Sequence, residues 1–268
     1  MSARGASDAG RADGGGGSGS LATVGIVAAL PAELRCLLHT AVPVGETRTV
    51  NRYVRAQAGG IGAAAARRAA ASLIAERVGA LVSWGFAAGL DPALVPGTLV
   101  IGQQVEPPLP PVPGAPDAVV WAVRLAARLR DRVPLVAGTI ACPDHVVRTA
   151  DEKRALGATG AVAADMETAA VAAAAAAAGI PWLALRVLVD TVDVIVPESV
   201  AMAIDADGRF EMTSFLSAVI RRPMDLARLP ALASAYRRAM RTLDAVARSA
   251  ENGFLFATGE MAATGGAR

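Results

Sequence analysis

Short apolar runs closed by turn residues alternate with helix-patterned segments along most of this chain, and that alternation leaves few architectures open. Residues 24–30, 80–84, 98–101, 135–141 and 182–189 read as strands, with helices at 63–77, 118–130 and 168–178 between them. Strands that are apolar on both faces must be covered on both faces, which requires helices above and below a largely parallel sheet. The predicted fold class is therefore α/β: a single domain whose central, mostly parallel mixed sheet is flanked by helices in a three-layer sandwich. The 268 residues, 53% of them hydrophobic, suffice for one large core. The last third is predicted to be helical, at 215–221 and 232–250. Residues 107–116 carry six prolines in ten positions and must form a loop. On the 118–130 helix, Arg124, Arg128 and Arg130 are expected to face water.

The ends and the apolar stretches exclude several classes. Residues 1–20 are Gly, Ser, Ala and Asp with two arginines, a composition that cannot bury enough apolar surface to offset its ordering entropy, so a disordered tail is expected. Residues from about 259 to 268 are expected to fray. Asp8, Asp13, Glu33 and Arg35 argue against a signal peptide around the first apolar run. Residues 168–185 are eighteen positions without a charge, but ten are Ala, and Gly179 and Pro181 interrupt them. This is a buried helix, its end and a strand rather than a membrane span. A net charge of +2 with no basic run points to no nucleic-acid partner. Cys36 and Cys142 lie far apart, with one His three residues on from each, His39 and His145. Since a zinc site needs about four ligands, no metal is expected, and the cysteine usage fits a reducing cytoplasm.

Four motifs carry chemistry. Gly59-Gly60-Ile61-Gly62 sits between a short strand and a helix, where glycine lets backbone approach a ligand; packing alone explains such a turn equally well. Ser83-Trp84-Gly85-Phe86-Ala87-Ala88-Gly89-Leu90-Asp91-Pro92 ends a strand in small residues at the carboxyl edge, where open α/β sheets bind ligands. Asp165-Met166-Glu167-Thr168-Ala169-Ala170 places two carboxylates at the head of an almost pure Ala helix. Acids there suit the helix dipole, yet a carboxylate entering a buried helix needs a polar partner. Arg186-Val187-Leu188-Val189-Asp190-Thr191-Val192-Asp193 delivers Asp190 at the carboxyl end of an apolar strand. Asp193, three residues on, reads as a turn cap.

In this order and spacing the four motifs resemble the nucleoside phosphorylase and nucleosidase superfamily, over about residues 24–193. The resemblance implies the phosphorylase/hydrolase-like version of the sandwich, with a catalytic domain over 21–258, and cleavage of the N-glycosidic bond of an adenine nucleoside. It implies that Met166 packs the sugar, that Glu167 accepts its 2′ and 3′ hydroxyls, and that Asp190 protonates the leaving purine. It implies no cofactor, with phosphate a possible co-substrate, and a homo-oligomer. The chain also departs from the pattern. Ala32 aligns with the water-activating Glu of the methylthioadenosine and adenosylhomocysteine nucleosidases, with Glu33 one residue on as a candidate replacement. Phe86 stands where a phosphate- or water-contacting Ser is expected, with Ala87 beside it as a candidate substrate contact. The Gly-Asp-Pro-x-Arg phosphate loop is absent. The base-stacking aromatic aligns near Val146, with Val147 left to bond the base through its backbone, and Gly60 is the candidate close approach to the ligand. These changes, together with Arg221-Arg222-Pro223-Met224-Asp225-Leu226, Trp84-Gly85 and Ala150-Asp151-Glu152-Lys153, are similar to the hopanoid-associated phosphorylases. That similarity implies release of adenine from adenosylhopane, a lipid-linked substrate, with transient membrane contact. The alternatives are a methylthioadenosine or adenosylhomocysteine nucleosidase and, in another class, a nucleoside-binding module without catalysis. Water and phosphate both remain open as the nucleophile.

Deleting residues 1–20 is expected to leave the melting temperature and turnover nearly unchanged, as thermal unfolding and an adenine-release assay would show; a large loss of either would contradict the tail reading.

Overall fold

The computed structural model describes residues 23–40, 42–109, 118–194 and 229–256. The expectations for 1–20, 215–221, 221–226 and 259–268 lie outside these residues, as does most of the proline-rich loop. Eight strands form one sheet: β1 Val24–Ala28, β2 Thr47–Asn51, β3 Val54–Ala58, β4 Ala80–Gly89, β5 Leu99–Glu106, β6 Leu135–Ala141, β7 Ala161–Ala164 and β8 Trp182–Leu188. The helices are α1 Arg35–Leu38, α2 Ala63–Ala75, α3 Ala118–Leu129, α4 Ala150–Gly157, α5 Thr168–Ala177 and α6 Leu229–Ala247, with 3-10 segments at Pro31–Leu34 and Arg248–Leu255.

Strands β2, β3, β1 and β4 run side by side, and from β4 the sheet closes on itself. β4 pairs in parallel with β8 from Leu81↔Trp182 to Ala87↔Leu188. β8 pairs antiparallel with β5, β5 parallel with β6, and β6 parallel with β7. β7 then returns to β4 at Ala88↔Ala164 and Gly89↔Ala163. The ring needs β4 to be long. The sequence stops that strand at residue 84, yet it runs to Gly89, because the small residues after Trp84 have partners on β8 and β7. β5 likewise runs to Glu106 rather than 101.

The polar edge strand β2 and the four-residue β7 have no apolar run to announce them. β7 is Ala-Val-Ala-Ala, which favours a helix by itself; pairing with β6 and β4 overrides that preference. The expected sheet, mixed and mostly parallel with helices on both faces, is the one observed. On one face the alanines of α2 (Ala66, Ala69, Ala70) pack with Leu73 against Ala170, Val171 and Ala175 of α5. On the other, Trp121, Leu125 and Leu129 of α3 join Leu243 and Val246 of α6 around Trp84 and Phe254. The indole N–H of Trp121 donates to the Phe254 carbonyl at 2.8 Å. Arg128 and Arg130 face water, but Arg124 is half-buried and donates to the Leu255 carbonyl at 3.2 Å, so that part of the expectation is corrected.

Where β6 meets β7 the ring is tight. A Cβ on Gly138 would lie 2.3 Å from Cγ2 of Val162. Gly138→Ala is expected to cost about 1–3 kcal/mol by overpacking, and clearly less in a Val162→Ala background. Denaturant unfolding of the four proteins tests this; equal costs in both backgrounds would show that the Val162 contact is not the cause.

Candidate active site

The closed end of the ring holds a cavity of about 250 Å³. Its walls come from the ends of β1, β4 and β8 and from the segments that follow β6 and β7. Leu30, Ile61, Phe86, Val146, Met166 and Val189 make much of it apolar, and Glu33, Asp165, Glu167 and Asp190 bring carboxylates to it. All four carboxylates are buried. Two larger hollows, of about 430 and about 650 Å³, lie at the surface, and their acids (Asp91, Asp193, Asp244 and Glu251) are not buried. The buried acids mark the smaller cavity as the candidate site.

Arg186 organises one side of it. This residue interrupts the apolar strand β8 and is only 1% exposed. Its Nε lies 2.8 Å from Asp165 Oδ2, and its Nη2 donates to Ser83 Oγ at 2.7 Å and lies 3.6 Å from Glu167 Oε2. Nη1 faces the carbonyls of Trp84 and Phe86. Asp165 also accepts the N–H groups of Glu167 at 2.9 Å and Thr168 at 2.7 Å, and so caps α5. Of the two acids in the Asp-Met-Glu motif, the first is a helix cap and ion-pair partner. The second turns the other way: Glu167 Oε1 accepts the Gly62 N–H at 2.7 Å. Gly62 holds φ +92°, a left-handed conformation that favours glycine. Gly60 is not a wall of the cavity. It turns the chain and donates its N–H to the Ala29 carbonyl at 3.1 Å.

Glu33 enters the same cavity from the 3-10 turn, whereas Ala32 does not line it. Glu33 Oε2 accepts from the N–H groups of Ala29 (3.1 Å) and Leu30 (2.9 Å), and Oε1 from Phe86 N–H (2.8 Å). A Cβ on Gly85 would stand 2.2 Å from Oε1, so the carboxylate occupies space that only glycine leaves open. Burial pushes Glu33 up to about 7, against the pull of the Arg186 charge and the N–H groups of Leu30 and Phe86. Burial raises Glu167 as well, again opposed by Arg186.

Asp190 closes the opposite side. Its Oδ1 accepts the Gly89 N–H at 2.9 Å, and its Oδ2 lies 2.7 Å from Lys153 Nζ. Burial raises its pKa and Lys153 opposes the rise. Asp193 is 71% exposed, pairs with Arg154 at 2.7 Å and stays out of the cavity. Phe86, Ala87, Met166, Val146 and Val147 all line the cavity, as does His145, which the sequence reading left without a role. Arg186 and Lys153 were also missed as site residues. A lone Arg in Trp-Leu-Ala-Leu-Arg-Val-Leu does signal a buried cation that needs acidic partners. Nothing in the local pattern of α4 singles out Lys153. Among the described residues, no three His, Cys, Asp or Glu side chains group to hold a metal ion, and no helix is long and apolar enough to cross a membrane.

The phosphorylase superfamily model matches residues 23–221, so the chain belongs to that superfamily. No curated protein matches it in sequence. Among solved structures it is similar to the 5′-methylthioadenosine/S-adenosylhomocysteine nucleosidase of Neisseria meningitidis in complex with methylthio-immucillin-A, at 21% identity and TM-score 0.58, over 85% of this chain and 100% of that one. It is similar to a Helicobacter pylori nucleosidase mutant with 5′-methylthioadenosine in the active site, at 21% identity and TM-score 0.56, over 76% and 97%. The futalosine hydrolase of Helicobacter pylori matches at 23% identity and TM-score 0.55, with the same coverage.

Arg186→Met is expected to destabilise the protein by about 3–5 kcal/mol, since it leaves buried carboxylates without their cation. Urea unfolding measures it, and a change below about 1 kcal/mol would mean that the guanidinium does not hold the site together.

Proposed function

We propose that this protein hydrolyses the N-glycosidic bond of an adenine nucleoside bearing an apolar 5′ group, with adenosylhopane as the foremost substrate. The observation that carries the reading is the convergence of Glu33, Glu167 and Asp190, all buried, on one cavity whose remaining wall is largely apolar. Cleavage builds positive charge on the ribose, which nearby carboxylates stabilise. Adenine departs readily only when a ring nitrogen is protonated. Glu167 takes the ribose hydroxyls, Met166 packs the sugar, and Val146 and Val147 border the base. Asp190 donates the proton, and Glu33 removes one from the attacking water.

Water is favoured over phosphate by charge. Arg186 lines the cavity, but its donors are directed to Asp165, Ser83, Glu167 and the carbonyls of Trp84 and Phe86. The described lining holds no lysine, and its His145 pairs with Asp144 at 2.8 Å. A phosphate dianion among four buried acids would lack its usual cationic partners.

The apolar lining and the similarity to hopanoid-associated phosphorylases support a large hydrocarbon at the 5′ position. That substituent would leave past the rim, where Val146 is 49% exposed. A second reading, a methylthioadenosine or adenosylhomocysteine nucleosidase, is favoured by the position of Glu33. The alignment that set Ala32 against it loses its force once Glu33 itself lines the cavity. Competition between adenosylhopane and methylthioadenosine decides: the proposal expects adenosylhopane to be preferred, and much faster turnover of methylthioadenosine would establish the second reading. No adenine release from either would leave a binding module.

Glu33 serves as a base only when ionised. With its pKa up to about 7, kcat/KM is expected to fall as the pH drops below about 7. In Glu33→Gln the rate should be low and that limb absent; an unchanged limb would assign it to another group. Asp190→Asn should slow adenosine cleavage by about 10²–10⁴-fold, the usual worth of a positioned acid. A nitrophenyl riboside, whose leaving group needs no proton, should be much less affected, and equal slowing of both substrates would remove Asp190 from the role.

A further inference from the structure

Lys153 is fully buried, with a side-chain exposure of 0%. A lysine is rarely placed so unless every N–H has a partner. Here all three do: Asp190 Oδ2 at 2.7 Å, the Thr191 carbonyl at 2.9 Å and the Val194 carbonyl at 2.9 Å. The helix that carries it is pinned at its start. Thr149 Oγ1 accepts the Glu152 N–H at 3.2 Å, while Glu152 Oε2 accepts the N–H groups of Thr149 and Arg148 at 3.0 Å each. On the far side of the carboxylate, Gly89 donates to Oδ1 and could carry no side chain, since a Cβ there would meet the Asp190 carbonyl oxygen at 2.7 Å. The carboxyl group is thus clamped between a backbone N–H and an ammonium.

We infer that Lys153 is the positioning residue of Asp190: it fixes the carboxyl group and neutralises the charge that appears there when the proton passes to the departing base. The inference rests on the role given to Asp190 above. In the step, the Asp190 O–H bond breaks and a ring N–H forms on the base. The electron pair of the C1′–N bond goes to the base, and Lys153 keeps all its protons. Two of its three bonds staple the segment after β8, which any loop-holding lysine would do. The third reaches the acid itself, and that bond makes the prediction specific to leaving-group protonation.

The test is the ratio of kcat/KM for adenosine to that for a nitrophenyl riboside, in the full chain. Lys153→Met is expected to lower this ratio by about 10-fold or more, because the acid loses the cation that stabilises its product form. Should Lys153→Met not fold, Lys153→Gln, which keeps N–H donors for the two carbonyls, replaces it with the same expectation. In an Asp190→Asn background, where no proton is given, Lys153→Met should change the ratio by less than about 2-fold, as expected of two groups that act as a unit. A Lys153 variant that slows both substrates alike would make it a loop staple only and overturn the inference. If Asp190→Asn itself leaves the ratio unchanged, the fault lies in the assignment of the acid rather than in that of its partner.

Discussion

The structure turns on one guanidinium. Burying Arg186 in the middle of a strand removes a full charge from water, a cost that is met only if several acceptors surround it. Those acceptors come from separate parts of the chain: Asp165 and Glu167 from the head of α5, Ser83 and two carbonyls from β4. The charge of Arg186 also reaches Glu33, beside β1. The cation therefore ties together the elements that close the ring, and the acids that satisfy it are the acids that face the cavity. This side of the cavity thus cannot be loosened without loosening the fold.

A second cation balances the other side. Lys153 stands to Asp190 much as Arg186 stands to Glu167 and Asp165, so each half of the cavity has acids held by one buried base. Burial raises the carboxyl groups of both halves, and in each a buried cation opposes the rise. Glu33 is pushed to about 7, where a small change of pH moves its proton. Asp190 is raised by burial and restrained by an ammonium at 2.7 Å.

Much of this was legible in the sequence, for identifiable reasons. The apolar runs of β1, β4 and β8 announce themselves because both faces are buried, and the Ala-rich α2 and α5 because close packing on a sheet demands small side chains. Asp190 and Glu167 were visible as acids where the surrounding sequence is apolar. What stayed hidden depends on long-range pairing. β7 is four residues of helix-favouring sequence, and β4 continues through Gly85 and Gly89 only because β8 and β7 lie alongside. Ala32, not Glu33, stands in sequence where the resemblance expects a water-activating Glu, but the 3-10 turn at Pro31–Leu34 directs Glu33 into the cavity. That the N–H of Gly62 reaches Glu167 was likewise not visible among the glycines of its turn. Lys153 sits on a short polar helix, and only the fold reveals that it points at the acid.

We propose that water, not phosphate, cleaves the glycosidic bond, because the buried cations beside the cavity are already committed to carboxylates. The most direct measurement is turnover of an adenine nucleoside in H₂¹⁸O with inorganic phosphate present, followed by mass analysis of the sugar product under conditions that limit later exchange at C1. The account predicts free ribose product carrying one ¹⁸O at C1 and no sugar phosphate. A ribose 1-phosphate product free of label would contradict it.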